Sequence, residues 1–178
     1  MLNEFKPSLF FLGKFLAVYL AGNIIYGLWV RAVAPQADSM TKVMTEQTSL
    51  VLNTFGENTS VVASDHGPTM WLQKSSKTIL NVFEGCNGIN VMIVFLAFIV
   101  AFGGALKKMF WFVPAGLVCI HLFNLIRIAL LYVVAQHYQR YFYYVHKYIF
   151  TAFLYLIVLM LWGLWVAKLS GEKDKADD

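Results

Sequence analysis

Charge is scarce in this chain: Lys, Arg, Asp and Glu make up 13% of its 178 residues, about half the share of an average soluble protein. A water-soluble monomer of that composition lacks the polar side chains to coat itself, which excludes a cytosolic enzyme. Two cysteines are too few for the disulfide framework of a small secreted module. There is no CxxC pair, no zinc-ligand spacing and no phosphate-cradling glycine loop, so thiol-oxidase, metal and nucleotide chemistry have no motif to stand on. Neither a metal nor a cofactor is expected. The net charge of +4 is scattered between apolar runs, and nucleic-acid binding therefore has little support. Disorder is excluded by the opposite property, since 59% of the residues are hydrophobic and 16% aromatic.

What is abundant is apolar sequence. Four stretches, Phe15 to Val30, Ile89 to Leu106, Met109 to Ala135 and Tyr148 to Ala167, approach or exceed the ~20 residues a helix needs to cross ~30 Å of hydrocarbon. The first admits a second reading as a signal peptide, because Lys6 and Lys14 precede an apolar core and Ala32-Val33-Ala34 resembles a cleavage site. Pro35 directly after that site disfavours cleavage, and a backward extension to Leu9 is long for a signal core, so a retained helix is expected. In the polar stretch after it, Met40, Val43, Met44, Gln47, Leu50, Val51 and Phe55 recur at helical spacing behind a Ser39 cap. That pattern fits an amphipathic helix on the membrane or the insert, and equally an ordinary packed helix. Short β-rich runs follow, Ser60 to Ala63, Met70 to Gln73 and Thr78 to Phe83, separated by Asp65-His66-Gly67-Pro68 and Lys74-Ser75-Ser76 turns. The expectation is an all-α membrane protein, a single domain over 1–178 with about four transmembrane helices and a small extracytoplasmic α+β insert at about 34–87. Ser170 to Asp178 reads as a charged, frayed tail.

Orientation follows from Lys and Arg. Spans two and three are joined by little except Lys107 and Lys108, a basic hairpin of the kind retained in the cytoplasm. Both termini then face the cytoplasm, with Lys6 and Lys14 at one end and Lys168, Lys173 and Lys175 at the other. The insert carries five acids, Asp38, Glu46, Glu57, Asp65 and Glu84, against three lysines, although Arg31, Arg140 and Lys147 also fall on the outer side.

With that topology Cys86, Arg127 and His146 reach one membrane boundary. Cys86 lies in Glu84-Gly85-Cys86-Asn87-Gly88, a glycine-permitted turn before a helix. Unpaired amides at a helix N-terminus, and a nearby Arg127 or His146 cation, favour a thiolate there, while Glu84 opposes it. On that residue alone an idle cysteine is the better reading. Cys119 falls mid-span, which makes a disulfide with Cys86 improbable and packing its role. A guanidinium inside an apolar run costs ~3 kcal/mol or more on insertion scales. Arg127 therefore either snorkels to the interface or faces a polar pocket. Asn124 and His121 on the same side of the helix favour the pocket, and Asn90 shares the face of Cys86. His146 sits in the aromatic run Tyr141 to Tyr148, which is either an interfacial belt or the setting of a general acid and base. His66 and His137 read as surface residues.

In Cys86-Asn87-Gly88 before a span, Asn124-Leu125-Ile126-Arg127 within the next and His146 before the last, the chain resembles the exosortases and archaeosortases, multi-spanning cysteine transpeptidases. These residues are similar to the signature of that family, and the resemblance implies that Cys86, Arg127 and His146 are catalytic, with Asn87, Asn90, Asn124 and His121 expected to bind substrate beside them. Its size and insert look most like the exosortase F type of Bacteroidetes. The resemblance implies cleavage of exported proteins carrying a C-terminal sorting signal, made of a recognition motif, a hydrophobic helix and a basic tail. It further implies a Cys86 thioester, transfer to an acceptor for surface anchoring, and residence in the bacterial inner membrane with the site on its outer side. Partners would be those exported substrates, membrane lipid and, as an open option, a membrane partner protein. A non-catalytic assembly scaffold and a transporter subunit are the competing classes.

Overall fold

The computed structural model describes residues 2–169; the charged tail from Ser170 lies outside them. Helix α1 (Leu2–Val33) leads into α2 (Ser39–Thr54), a sheet of β1 (Thr59–Ala63), β2 (Met70–Lys74) and β3 (Lys77–Val82), and a 3-10 turn (Glu84–Cys86). Helices α3 (Ile89–Phe102) and α4 (Leu106–His137) follow. A 3-10 turn at Gln139–Tyr141, a short α5 (Phe142–Tyr144) and a π turn at Val145–Ile149 then feed α6 (Phe150–Leu164).

Three of these segments are long and apolar enough to cross a membrane: Phe5–Val33, Leu106–His137 and Gln139–Ala167. Helix α3 is the most apolar but has 14 residues, ~21 Å at 1.5 Å per residue. The last span begins nine residues before the expected Tyr148, because the aromatic run coils into helical and π turns. Helix α3 packs on α1, where Gly22 meets Ile93 and Phe11 meets Phe98 and Phe102. On its other side Phe95 and Ile99 join Ile120, Val158 and Trp165 in one apolar core. Trp165 Nε1 donates to the Gly103 carbonyl at 3.0 Å, fixing the α3–α4 connection.

The insert adopts the expected helix and three strands, in the antiparallel order β1-β2-β3. Its details differ in two respects. The α2 cap is Asp38 rather than Ser39, with Asp38 Oδ1 accepting from the backbone of Met40 and Thr41. The buried face of α2 is Thr41, Met44, Thr45, Thr48, Ser49 and Leu52, whereas Val43, Leu50 and Phe55 are exposed. Hydroxyls can be buried here because each finds a partner: Thr45 and Thr48 donate to carbonyls four residues back, at 2.7 and 2.8 Å. Ser49 pairs with Thr59 of β1. The sheet lays Leu72, Leu80 and Val82 against Met44 and Leu52 of α2 and Ile128, Leu131 and Tyr132 of α4. Glu57 links the insert to α4, accepting from Lys74 Nζ at 2.6 Å and Tyr132 at 3.3 Å. The lysine bond holds the Glu57 carboxyl below its ordinary range.

Candidate active site

Cys86 ends the 3-10 turn, its amide donating to the Phe83 carbonyl at 2.8 Å. The turn depends on Gly88, whose φ of +86° is left-handed and whose added Cβ would lie 3.0 Å from Asn124 Nδ2. A side chain at 88 would thus be strained twice. The close approach lets Asn124 donate to the Cys86 carbonyl at 2.9 Å while its oxygen accepts from Arg127 Nη1 at 3.2 Å. One amide therefore ties the guanidinium to the thiol-bearing turn.

Arg127 is 6% exposed, so it turns inward rather than snorkelling. Among the described residues its buried Nε has no hydrogen-bond partner. A buried donor without a partner costs about 1–3 kcal/mol, which makes it a ready contact for an incoming oxygen.

His146 approaches from the segment that leads into α6, with Nε2 3.7 Å from Cys86 Sγ. The π turn that carries it is a helical irregularity often used to aim a side chain. Thr151 Oγ1 takes up the His146 carbonyl at 3.3 Å. Phe142, one turn earlier, stacks on the imidazole with centroids 5.7 Å apart and planes 6° from parallel. Thiol, imidazole and Phe142 face a cavity of about 80 Å³ walled by Leu80, Val82, Ile128 and Leu131.

A second clamp was not foreseen. Asn87 Nδ2 donates to Tyr26 at 2.6 Å and Thr41 at 3.1 Å, with Asp38 at 3.3 Å. Asn87 Oδ1 caps Ile89 at 3.0 Å. This buried network joins α1, α2 and the α3 start immediately beside the thiol. Its legible signal was Asp38, which sits before a helical run and suits a cap as well as Ser39 does.

The remaining candidates lie apart. His121 pairs with Gln47 of α2 at 2.7 Å, six residues, ~9 Å, along α4 from Arg127. Asn90 is exposed. Cys119 is half-buried, and both cysteines are free thiols.

The expected thiolate gives way to burial. Desolvation pushes the Cys86 thiol above its ordinary value; Arg127 and a Phe83 backbone hydrogen bond pull it back, and Glu84 adds to the rise. Removing charge from a low-dielectric pocket outweighs a single neighbouring cation here. The resting site therefore holds a neutral thiol within reach of an imidazole.

Fold and site together define a helical membrane protein whose small α+β insert packs beside a buried cysteine and arginine and a half-buried histidine. Residues 8–164 match the family model of the transmembrane exosortases, and the chain belongs to that family. No curated protein and no solved structure matches it.

Proposed function

We propose that this exosortase is a membrane-embedded cysteine transpeptidase that cleaves the C-terminal sorting signals of exported proteins and passes the acyl product to an acceptor. The observation that carries the reading is the 3.7 Å approach of His146 Nε2 to a Cys86 thiol beside a buried arginine with a spare donor. His146 takes the Cys86 proton as sulfur attacks the scissile carbonyl. Arg127 stabilises the negative charge that develops on the carbonyl oxygen. The C–N bond breaks, the leaving amine receives the proton from His146, and an acyl thioester remains on Cys86. The acceptor then gives its proton to His146 and attacks the thioester, and the thiol regains that proton.

Helix α3 serves as a fourth, short crossing, which places Lys107 and Lys108 in the cytoplasm and the insert with the site on the outer side of the inner membrane. Asn124 and Asn87 act by holding Arg127 and the Cys86 turn, rather than by touching substrate. The chain's size and α+β insert support the exosortase F type. The test is mass spectrometry of Cys86 in membranes of cells exporting the native proteome. A hydroxylamine-labile peptide ending at one residue type of exported proteins is expected; an unmodified Cys86 under all conditions removes the mechanism.

A further inference from the structure

Strand β3 is an edge of the sheet, bonded to β2 alone. Among the described residues no hydrogen bond reaches the backbone of 79–82 except from β2. An edge strand leaves the N–H and C=O of alternate residues pointing outward, and these are a template for another strand. That edge borders a groove. The cavity of about 80 Å³ at Cys86 and a second of about 210 Å³, lined by Ile79, Ala135 and Gln139, share Leu80, Asn81 and Phe142. The two are therefore neighbours along the strand, and the first opens on the thiol. From Ile79 to Val82, where β3 ends, the edge is about 13 Å long at ~3.3 Å per residue, room for about four extended residues.

Resting on the sorting-signal reading above, we infer that the exported protein's recognition segment docks as a fourth strand on the free edge of β3, seating two alternate side chains in these cavities. Main-chain hydrogen bonds would supply affinity and the two cavities selectivity. The direction follows from the geometry. Strand β3 runs towards Cys86 and the start of α3, while its opposite end lies beside Ala135 near the end of α4 and Gln139 in the turn that follows it. A hydrophobic helix C-terminal to the scissile bond must lie with the spans, so the stretch N-terminal to that bond takes the groove and runs parallel to β3. The seat beside Cys86 accepts a small side chain and the next a larger one. No carboxylate, ammonium or guanidinium lines either cavity, so both seated side chains are uncharged. This assigns the substrate class: an extended segment with a small and a larger uncharged residue, two positions apart, before the cleaved bond.

The test places a p-benzoylphenylalanine photocrosslinker at Asn81, which is exposed on β3, in the full-length enzyme in its own cells. The control position is Val62, exposed on β1 at the other edge. Crosslinks and Cys86 acyl adducts are mapped by mass spectrometry from the same membranes. Crosslinking from Asn81 and not Val62, to the protein found on Cys86 and within about six residues N-terminal of its acylated residue, is the expected result. An acyl adduct with Asn81 crosslinks elsewhere, or with none, overturns strand addition and leaves the transpeptidase reading standing. Absence of any acyl adduct removes both.

Discussion

The carbonyl oxygen of Cys86 accepts a 2.9 Å hydrogen bond from the side chain of Asn124, so the position of the thiol-bearing turn is set by a helix that begins twenty residues after it. The same Asn124 side chain accepts from Arg127. Thiol and guanidinium consequently move together.

Asn124→Ala strands both partners in a buried site. A loss of about 1–3 kcal/mol is expected for groups left without a hydrogen bond, read as a lower midpoint of thermal unfolding in detergent. Processing should fall at temperatures where the protein is still folded. Unchanged unfolding would mean that the two bonds are not formed.

The two cysteines should separate cleanly. Cys86→Ala is expected to abolish processing with the protein still inserted, and Cys119→Ala to retain it. Cleavage of an exported substrate in isolated membranes measures both, and an active Cys86→Ala enzyme contradicts the mechanism.

For Arg127 the informative change is to Lys, which keeps the charge but loses the planar fork. Arg127→Lys should insert normally and process roughly tenfold to a hundredfold more slowly, at ~1.36 kcal/mol per decade. Arg127→Ala should be slower still. A wild-type rate for Arg127→Lys, normalised to inserted enzyme, takes the guanidinium out of the chemistry.

Burial raises the Cys86 thiol above its ordinary value. Because the thiolate is the form that reacts, alkylation of Cys86 by iodoacetamide in a Cys119→Ala background should accelerate as pH rises, with its midpoint above that of a free cysteine thiol. Arg127 favours the anion, so Arg127→Gln should move that midpoint further up. A midpoint near neutrality would indicate a preformed thiolate pair.

Membrane orientation is read with single cysteines at Ser75, in the turn between β2 and β3, and at Ser170, in a chain whose other cysteines are replaced by Ala. An impermeant thiol reagent on intact spheroplasts should label Ser75→Cys and spare Ser170→Cys. The reverse pattern inverts the topology and ends the sorting-signal reading.

Cys86, Arg127 and His146 stood out in the sequence because polar and reactive groups beside long apolar runs are costly and need a reason. The three strands were legible as short runs of β-forming residues between turn residues such as Ser75 and Ser76, which adopt positive φ. The inner face of α2 was not legible because Thr45 and Thr48 satisfy their hydroxyls within the helix, an arrangement hydropathy does not register. The Asn87 network draws on Tyr26 and Asp38, 61 and 49 positions away, and no local pattern encodes contacts at that separation. The thiol's protonation was also hidden. A helix start and nearby cations can be read from sequence order, but the depth of the pocket that overrides them arises only when β3, α4 and the π turn close together.

That closure has a chemical consequence for the enzyme's lifetime. Peroxides and disulfides consume thiolates rather than thiols, and they need access. Cys86 is 5% exposed and burial favours its protonated form, so oxidants meet a poorly reactive sulfur in the resting site. On the proposed transpeptidase mechanism, His146 arms the sulfur only as a substrate carbonyl arrives, so a single cysteine kept protonated at rest would endure an oxidising outer surface without a reductase to restore it.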